Sequence, residues 1–236
     1  MRLKRNFTLK LHFILDQLVP PALRDSKFFM YPLLFIMYGK NAKIVFEFKE
    51  KVPFMDKDDF AKIYSNFEKY DPDRETDLNN GCIEKIIANI KGESVLEAGC
   101  GKAFLAGKIS GLGYKITAVD IKIDEKIKSK YSNVIFKNET IENLSFEDNK
   151  FDTVICTHTL EHVEDLPVAI KELRRVTKKR LIIVVPKQRP YKYTFDLHVH
   201  FFPYVFSFLQ VMKPAKNSYY CKIVGGDIFY YEDFLN

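Results

Sequence analysis

From Gly92 onward the chain alternates short apolar runs with helical segments, and this alternation limits the fold more than any other feature. Ser94 to Leu96, Lys115 to Val119, Val134 to Phe136, Phe151 to Cys156 and Leu181 to Val185 read as strands. Ala103 to Ile109, Lys122 to Lys130 and Leu166 to Thr177 fall between them and read as helices, the last with Val168, Leu173 and Val176 on its apolar side. Strands alternating with helices imply a parallel sheet covered on both faces. Leu181 to Val185 is a continuous apolar run, the pattern of a strand buried on both sides. The end of the chain differs. Tyr219 to Val224 and Ile228 to Tyr230 flank Gly225-Gly226-Asp227, where paired glycines supply the positive φ of a tight hairpin turn. The expected fold is α/β: a mostly parallel seven-stranded sheet with helices on both faces and a C-terminal antiparallel hairpin.

The first part of the chain lacks this order. Pro20-Pro21, Pro32 and Pro53 break a Phe-, Leu- and Lys-rich stretch into short pieces, and Asp71-Pro72-Asp73 reads as a boundary. We therefore expect an N-terminal helical and aromatic segment over residues 1–75 and a catalytic domain over 76–236. A helical pattern with Ile83, Ile86, Ile87 and Ile90 on one face begins the second.

After the first strand comes Glu97-Ala98-Gly99-Cys100-Gly101. Such a turn lets a ligand come close to the backbone and to a helix N-terminus. By itself it is shared by many nucleotide-binding proteins. Two details narrow it. The third glycine of the dinucleotide fingerprint is absent, since Lys102, Ala103 and Phe104 follow, and Glu97 stands just before the glycines. A carboxylate there repels a pyrophosphate but suits a ligand carrying an ammonium and a sulfonium. S-adenosylmethionine is such a ligand. Asp120 ends the second strand, where a carboxylate can accept both ribose hydroxyls. The bland reading is that both acids are solvated strand ends.

Val95-Leu96-Glu97-Ala98-Gly99-Cys100-Gly101, Val119-Asp120, Phe151-Asp152-Thr153-Val154-Ile155-Cys156 and Leu160-Glu161-His162-Val163 occur in that order. Together they resemble the motifs of class I S-adenosylmethionine-dependent methyltransferases, which have a Rossmann-like fold. The similarity is nearest to the small-molecule group (type 11-like) that includes quinone-biosynthesis enzymes, and it covers roughly residues 77–186. The resemblance implies that Glu97, Gly99 and Gly101 surround the methionine part, Asp120 binds the ribose and Ile121 packs on the adenine. It puts Cys156, Thr157 and His158 beside the methyl group. Where the family often has an acid near the adenine amino group, this chain has Glu139-Thr140-Ile141, so Thr140 stands in its place, and Thr140, Glu139 or the backbone alone makes that contact.

Methyl transfer from a sulfonium is a direct displacement that needs alignment and exclusion of water. An oxygen nucleophile of high pKa also needs a base, most often His. His158 lies near the expected methyl position, while His162 belongs to the Leu-Glu-His pattern and reads as structural. His198 and His200 follow the fifth strand in a stretch that also holds Arg189, Tyr191 and Tyr193. Ligands of parallel sheets bind outside the carboxyl ends of the strands. Hence His198 or His200 is the expected base, with His158 as a further catalytic candidate and Arg189, Tyr191 and Tyr193 as acceptor contacts; an aromatic segment packed on the sheet is the alternative. His158 and His162 have one-turn spacing but not the His-Glu-x-x-His order, and no metal is expected.

Four cysteines far apart, without a CxxC pair, argue against a zinc site or disulfide scaffold and suit a reducing cytoplasm. No secretory signal or spanning segment is read: the most apolar stretch, Phe28 to Tyr38, is far short of the ~20 residues that cross a bilayer. A net charge of +6 is mild and gives no reason to expect a stable nucleic-acid partner. Arg2, Lys4, Arg5 and Lys10 alternate with Leu3, Phe7, Leu9 and Leu11, which suggests a lid or a peripheral contact with the inner face of the membrane. The activity expected is O-methylation of a small molecule, such as a polysaccharide sugar or a lipid-linked intermediate. The alternatives are a quinone or lipid methyltransferase and a non-catalytic protein that binds S-adenosylmethionine.

Overall fold

The computed structural model describes residues 11, 13–55, 59, 60, 62, 63 and 75–234. The basic N-terminal alternation, His12 and the Asp71-Pro72-Asp73 boundary lie outside them. The chain divides into two compact units: the described residues of the first 74 together with Gln188–Phe201, and Glu75–Lys187 with Phe202 onward. The segment 188–201, which the sequence reading grouped with the catalytic domain, thus clusters with the N-terminal part.

In the first unit, α1 (Lys27–Tyr38) and α2 (Ala42–Lys51) are joined by the short turn Gly39–Asn41. The expected break at Pro32 does not occur, because α1 runs through it. Proline there removes one hydrogen bond to the preceding turn. Pro32 lies on the exposed side of the helix, where water can take the released carbonyl. Met30, Leu34 and Tyr38 form the buried stripe at helical spacing, against Val45 and Phe48 of α2. Tyr191, Tyr193, Phe195 and Leu197 complete this core. Tyr193 stacks on Phe46 with ring centroids 3.9 Å apart, and the Tyr38 hydroxyl donates to the Phe195 carbonyl.

The second unit is the α/β part. In chain order it holds α3 (Asn80–Ala88), β1 (Ser94–Ala98), α4 (Phe104–Ser110), β2 (Lys115–Asp120), α5 (Glu125–Lys130) and β3 (Ile135–Asn138). Then follow β4 (Phe151–Thr157), α6 (Leu166–Val176), β5 (Thr177–Pro186), α7 (Val205–Met212), β6 (Tyr219–Val224) and β7 (Asp227–Asp233). The sheet order is β3-β2-β1-β4-β5-β7-β6, with β7 antiparallel to both β5 and β6 and the other pairs parallel, as the alternation and the glycine pair predicted.

Alternation along the strands divides the core into two layers. Leu96, Val154, Leu181, Ile183 and Tyr230 face one side with Leu173 and Val176 of α6 and Phe208 of α7. Val95, Ile155, Ile182, Val184 and Phe229 face the other with Ile83 and Ile86 of α3 and Leu105 and Ile109 of α4. α3 and α6 start at side-chain caps: Asn79 Oδ1 accepts from Cys82 N at 2.9 Å and Asp165 Oδ1 from Val168 N at 3.1 Å. Asp152 pins the start of β1 to β4 by accepting from the Glu93 and Ser94 amides at 3.0 and 3.2 Å.

Candidate functional site

Strand pairing sets the level of the site. Ala98 pairs with Val119 on one side and Cys156 on the other, so β1, β2 and β4 end together. The residues following these three ends are brought to one edge of the sheet. Pro186 pairs with Asp227, which brings the β6–β7 turn to the same edge.

The turn after β1 is fixed from β2. The Gly99 and Cys100 amides donate to the Val119 carbonyl at 2.9 and 3.0 Å, and the Gly101 amide donates to Asp120 Oδ2 at 2.7 Å. Gly99 and Gly101 have φ of +77° and +50°, the left-handed region that disfavours side chains. A Cβ on Gly99 would meet Thr159, whereas one on Gly101 would enter open space. Ala103 also has positive φ (+53°), immediately before α4.

Glu97 is 3% exposed, and its Oε2 has no hydrogen-bond partner. Burial pushes its carboxyl up to about 8; the Ala106 N–H pulls it down, and Asp120 adds to the rise. Burial likewise raises Asp120, against the N–H groups of Gly101, Ile121 and Lys122. The edge therefore holds two carboxyl groups in a poorly solvated place, one with an unused oxygen. Such a site gains from a cation. Ile121 follows, 50% exposed, with its apolar side chain open to a flat ligand.

Of the other expected residues, Cys156 is fully buried in the core, so its backbone is the part nearest a ligand. The Thr157 carbonyl accepts from the Thr159 hydroxyl at 3.0 Å. The Thr140 hydroxyl donates to Glu142 Oε2 at 2.5 Å, and Glu139 accepts from the Ser145 amide at 3.0 Å. Both side chains are thus bonded within their own loop. His158 stands between two carboxylates, with Nδ1 3.5 Å from Glu161 and Nε2 3.4 Å from Asp227.

His198, His200, Arg189, Tyr191 and Tyr193 belong to the first unit. His198 Nδ1 lies 2.6 Å from Gln188 Oε1, a pure acceptor, so Nδ1 carries the proton and Nε2 the lone pair in the neutral ring. His200 is half-buried and Arg189 exposed. Tyr191 and Tyr193 are 5% and 6% exposed, packed in that unit's core. Lys49 lies over the rings of Tyr191 and Phe201, and burial lowers its amine to about 8 despite Asp196 and Asp25. Sequence reading did not single out Lys49 or Asp227, because the partners that define them are far away in the chain; Glu161 was read only as part of the Leu160–Val163 motif, although His158 lies three residues before it.

A family model described as a methyltransferase domain matches residues 96–185. The chain is 32% identical over 115 residues to a ubiquinone biosynthesis O-methyltransferase of Rickettsia bellii, covering 44% of this chain and 48% of that protein. It is 29% identical over 107 residues to a malonyl-[acyl-carrier protein] O-methyltransferase of Erwinia pyrifoliae, covering 43% and 41%. The matches thus span about half the length of these relatives or less. Among solved structures, a Burkholderia thailandensis 1,6-didemethyltoxoflavin-N1-methyltransferase crystallised with S-adenosylhomocysteine superposes with a TM-score of 0.54 at 14% identity, over 76% of this chain and 87% of that one. That likeness concerns the fold. The strand order and the motif order agree with the family match, and residues 96–185 carry a methyltransferase domain.

Proposed function

We propose that the protein transfers a methyl group from S-adenosylmethionine to an oxygen of a small lipophilic or lipid-linked acceptor. The observation that carries the cofactor assignment is the unpartnered Oε2 of buried Glu97 beside the Gly99–Gly101 turn. A carboxylate in that position fits an ammonium and does not fit a phosphate. Gly101 leaves room for close approach, Asp120 has lone pairs for ribose hydroxyls and Ile121 offers an apolar face for adenine. Thr140 and the backbone at Cys156 and Thr157 complete the proposed contacts.

When bound, the cofactor supplies an electrophilic methyl carbon on a sulfonium. The chain's own contribution is to hold that end of the ligand at Glu97 and Gly99, exclude water and remove the acceptor's proton. We assign the last role to His198, whose Nδ1–H is oriented by Gln188, with His200 as the alternative. Arg189 is the exposed acceptor contact, while Tyr191 and Tyr193 support the segment from its core.

The acceptor class follows the relatives. Those matched are named for ubiquinone biosynthesis and for an acyl-carrier protein, and neither is a sugar methyltransferase. This favours the quinone or lipid reading over the polysaccharide sugar. The test is transfer of labelled methyl from S-adenosylmethionine into a cell extract, followed by separation into lipid, polysaccharide, RNA and small-molecule fractions. Label in the lipid fraction as an alkali-stable ether is expected. Label in polysaccharide would restore the sugar reading, and cofactor binding without transfer to any fraction would favour a non-catalytic protein.

A membrane-surface location is favoured by one observation. Phe28, Phe35 and Ile36 lie on the solvent side of α1, exposed by 92, 54 and 74%, and Phe54 by 88%. The sequence of this unit carries 16 Lys and Arg against 11 Asp and Glu, so most of the net charge of +6 falls there. Apolar side chains among cations suit an anionic bilayer surface. Among the described residues, no helix is long and apolar enough to cross a membrane. Sedimentation with anionic but not zwitterionic vesicles is expected, and lost in a Phe28→Ser, Phe35→Ser, Ile36→Ser variant; binding to neither vesicle type, or equally to both, would overturn it.

A further inference from the structure

Three elements of the second unit meet at His158. Its backbone has φ of +49°, and its N–H donates to the Val184 carbonyl of β5 at 2.8 Å. Its ring spans Glu161 at 3.5 Å and Asp227 at 3.4 Å. Asp227 opens β7 just after Gly225-Gly226 and accepts from Asn79 Nδ2 at 2.9 Å. The same nitrogen donates to the Val224 carbonyl at 3.1 Å, while Asn79 Oδ1 caps α3. Glycine is required at 225, since φ is +59° and a Cβ would strike Asn79. The corner is therefore built from the cap of α3, the hairpin turn and the loop after β4.

Glu161 is fully buried, and neither of its carboxylate oxygens has a hydrogen-bond donor. A buried carboxylate in that state needs a counter-charge. The two contacts are charge pairs and not hydrogen bonds, since His158 Nε2 and both Glu161 oxygens have no hydrogen-bond partner, and only an imidazolium supplies a charge that the two carboxylates share. Burial opposes the charge on His158, but Asp227 and Glu161 outweigh it and raise the ring to about 9. At neutral pH its lone pair is occupied by a proton, so it is not available as a base.

We propose that His158 is a positioning residue of the methyl-transfer site, a clasp between Glu161 and Asp227 that fixes the loop after β4 to the hairpin turn. This rests on the reading that Cys156 and Thr157 flank the methyl group. The clasp holds that backbone in register with the Glu97–Gly101 turn through the shared sheet edge and takes no proton from the acceptor. Other groups of this corner are Asn79 and the carbonyl of Val224, which do not titrate, His162, with a ring nitrogen within 4.8 Å of a Glu161 oxygen, and the thiols of Cys82 and Cys156, which face Asp227 and Glu161 and which burial raises.

The test combines a direct titration with kinetics, using the full chain with ¹³C-labelled histidine. The His158 ring signal, identified by its loss in His158→Gln, should titrate near 9 and move down by at least one unit in Asp227→Asn. A midpoint at or below 6.5 would overturn the clasp, as would a His158 signal insensitive to Asp227→Asn. In His158→Gln, kcat should fall at least tenfold while affinity for S-adenosylhomocysteine changes less than threefold and the acid limb of the pH–rate profile stays. Loss of that limb would make His158 the base and refute the proposal. Neutralisation of Glu161 by added Mg²⁺ or Zn²⁺ with release of the His158 proton would also refute it. Should His158→Gln fail to fold, Asp227→Asn supplies the same titration and kinetic readouts. If the wild-type chain does not bind S-adenosylhomocysteine, the cofactor reading fails, and the ring titration still decides the clasp.

Discussion

Asp120 Oδ2 accepts the Gly101 amide at 2.7 Å, so the last side chain of β2 closes the turn that follows β1. The carboxylate has two oxygens and more lone pairs than this bond uses, and it can keep Gly101 while accepting from a ribose. Asp120→Asn removes the charge and one acceptor oxygen. Losing a hydrogen bond to a charged group costs about 1.5–3 kcal/mol, which is roughly 10–100-fold in affinity. Calorimetry with S-adenosylhomocysteine should show that loss. Folding stability should hardly change, since burial already disfavours the charged form of Asp120. A large fall in stability with affinity unchanged would make the residue structural.

The two glycines of the turn should separate folding from binding. At Gly99 a methyl group meets Thr159 Oγ1 at 2.2 Å and φ is +77°, so Gly99→Ala combines backbone strain with overpacking. About 2–4 kcal/mol of destabilisation is expected in a denaturant melt, partly recovered by adding Thr159→Ala. At Gly101, φ is +50° but nothing lies within 4 Å of the added carbon. Gly101→Ala should cost only about 1 kcal/mol in stability. Its methyl group enters the space a ligand would occupy, so affinity for S-adenosylhomocysteine should fall at least ~10-fold. Equal effects of the two substitutions on stability would contradict this distinction.

What could be read from the sequence was what depends on neighbours in the chain. The five parallel strands show because both faces of the sheet are covered, so runs such as Leu181 to Val185 are apolar throughout. Gly225-Gly226 announces the hairpin by the φ values its turn needs. Glu97 and Asp120 were visible because strand ends in a parallel sheet share an edge. The helix through Pro32 was not visible, because propensity there is overridden by packing of Met30, Leu34 and Tyr38. Tyr191 and Tyr193 looked like pocket residues, yet their burial depends on α1 and α2, more than 140 positions away. The corner joins the local pair His158 and Glu161 to Asp227 and Asn79, each more than 60 positions away, with no periodicity to betray it.

The hairpin that closes the sheet is tied down by Arg180. Its Nε and Nη2 donate to the two Asp233 oxygens at 2.7 and 2.8 Å, Nη1 donates to Asn89, and the guanidinium lies 4.0 Å from the Tyr231 ring centre. Its side chain is 10% exposed and that of Asp233 28%, so the pair is partly screened. Burial opposes the Asp233 charge, but Arg180 and Lys91 prevail and lower its pKa. A lowered carboxylate gives stability above its ordinary value of 3.8 and loses it as pH falls through the lowered one. Asp233→Asn should thus destabilise at neutral pH by about 1–3 kcal/mol and flatten the acid end of the stability curve. A pH-independent difference from wild type would rule out the charge as the cause.

Glu97 gives the sharpest test of the cofactor assignment, because its sign is opposite. Its folded value is raised from 4.5 to about 8, so the folded state holds a proton that the unfolded state releases. Without ligand, stability should fall as pH rises between those values. Glu97→Gln, which cannot ionise, should remove that fall. An ammonium at Oε2 reverses the preference by stabilising the carboxylate, so binding must release the Glu97 proton at pH 7. Affinity for S-adenosylhomocysteine should rise about tenfold per unit from pH 6 and level off near 8, where Glu97 is ionised without ligand. Glu97→Gln should flatten that rise. Titration calorimetry in buffers of different ionisation enthalpy counts the released proton directly. Constant affinity between pH 6 and 8 with no proton released would mean that the ammonium is bound elsewhere.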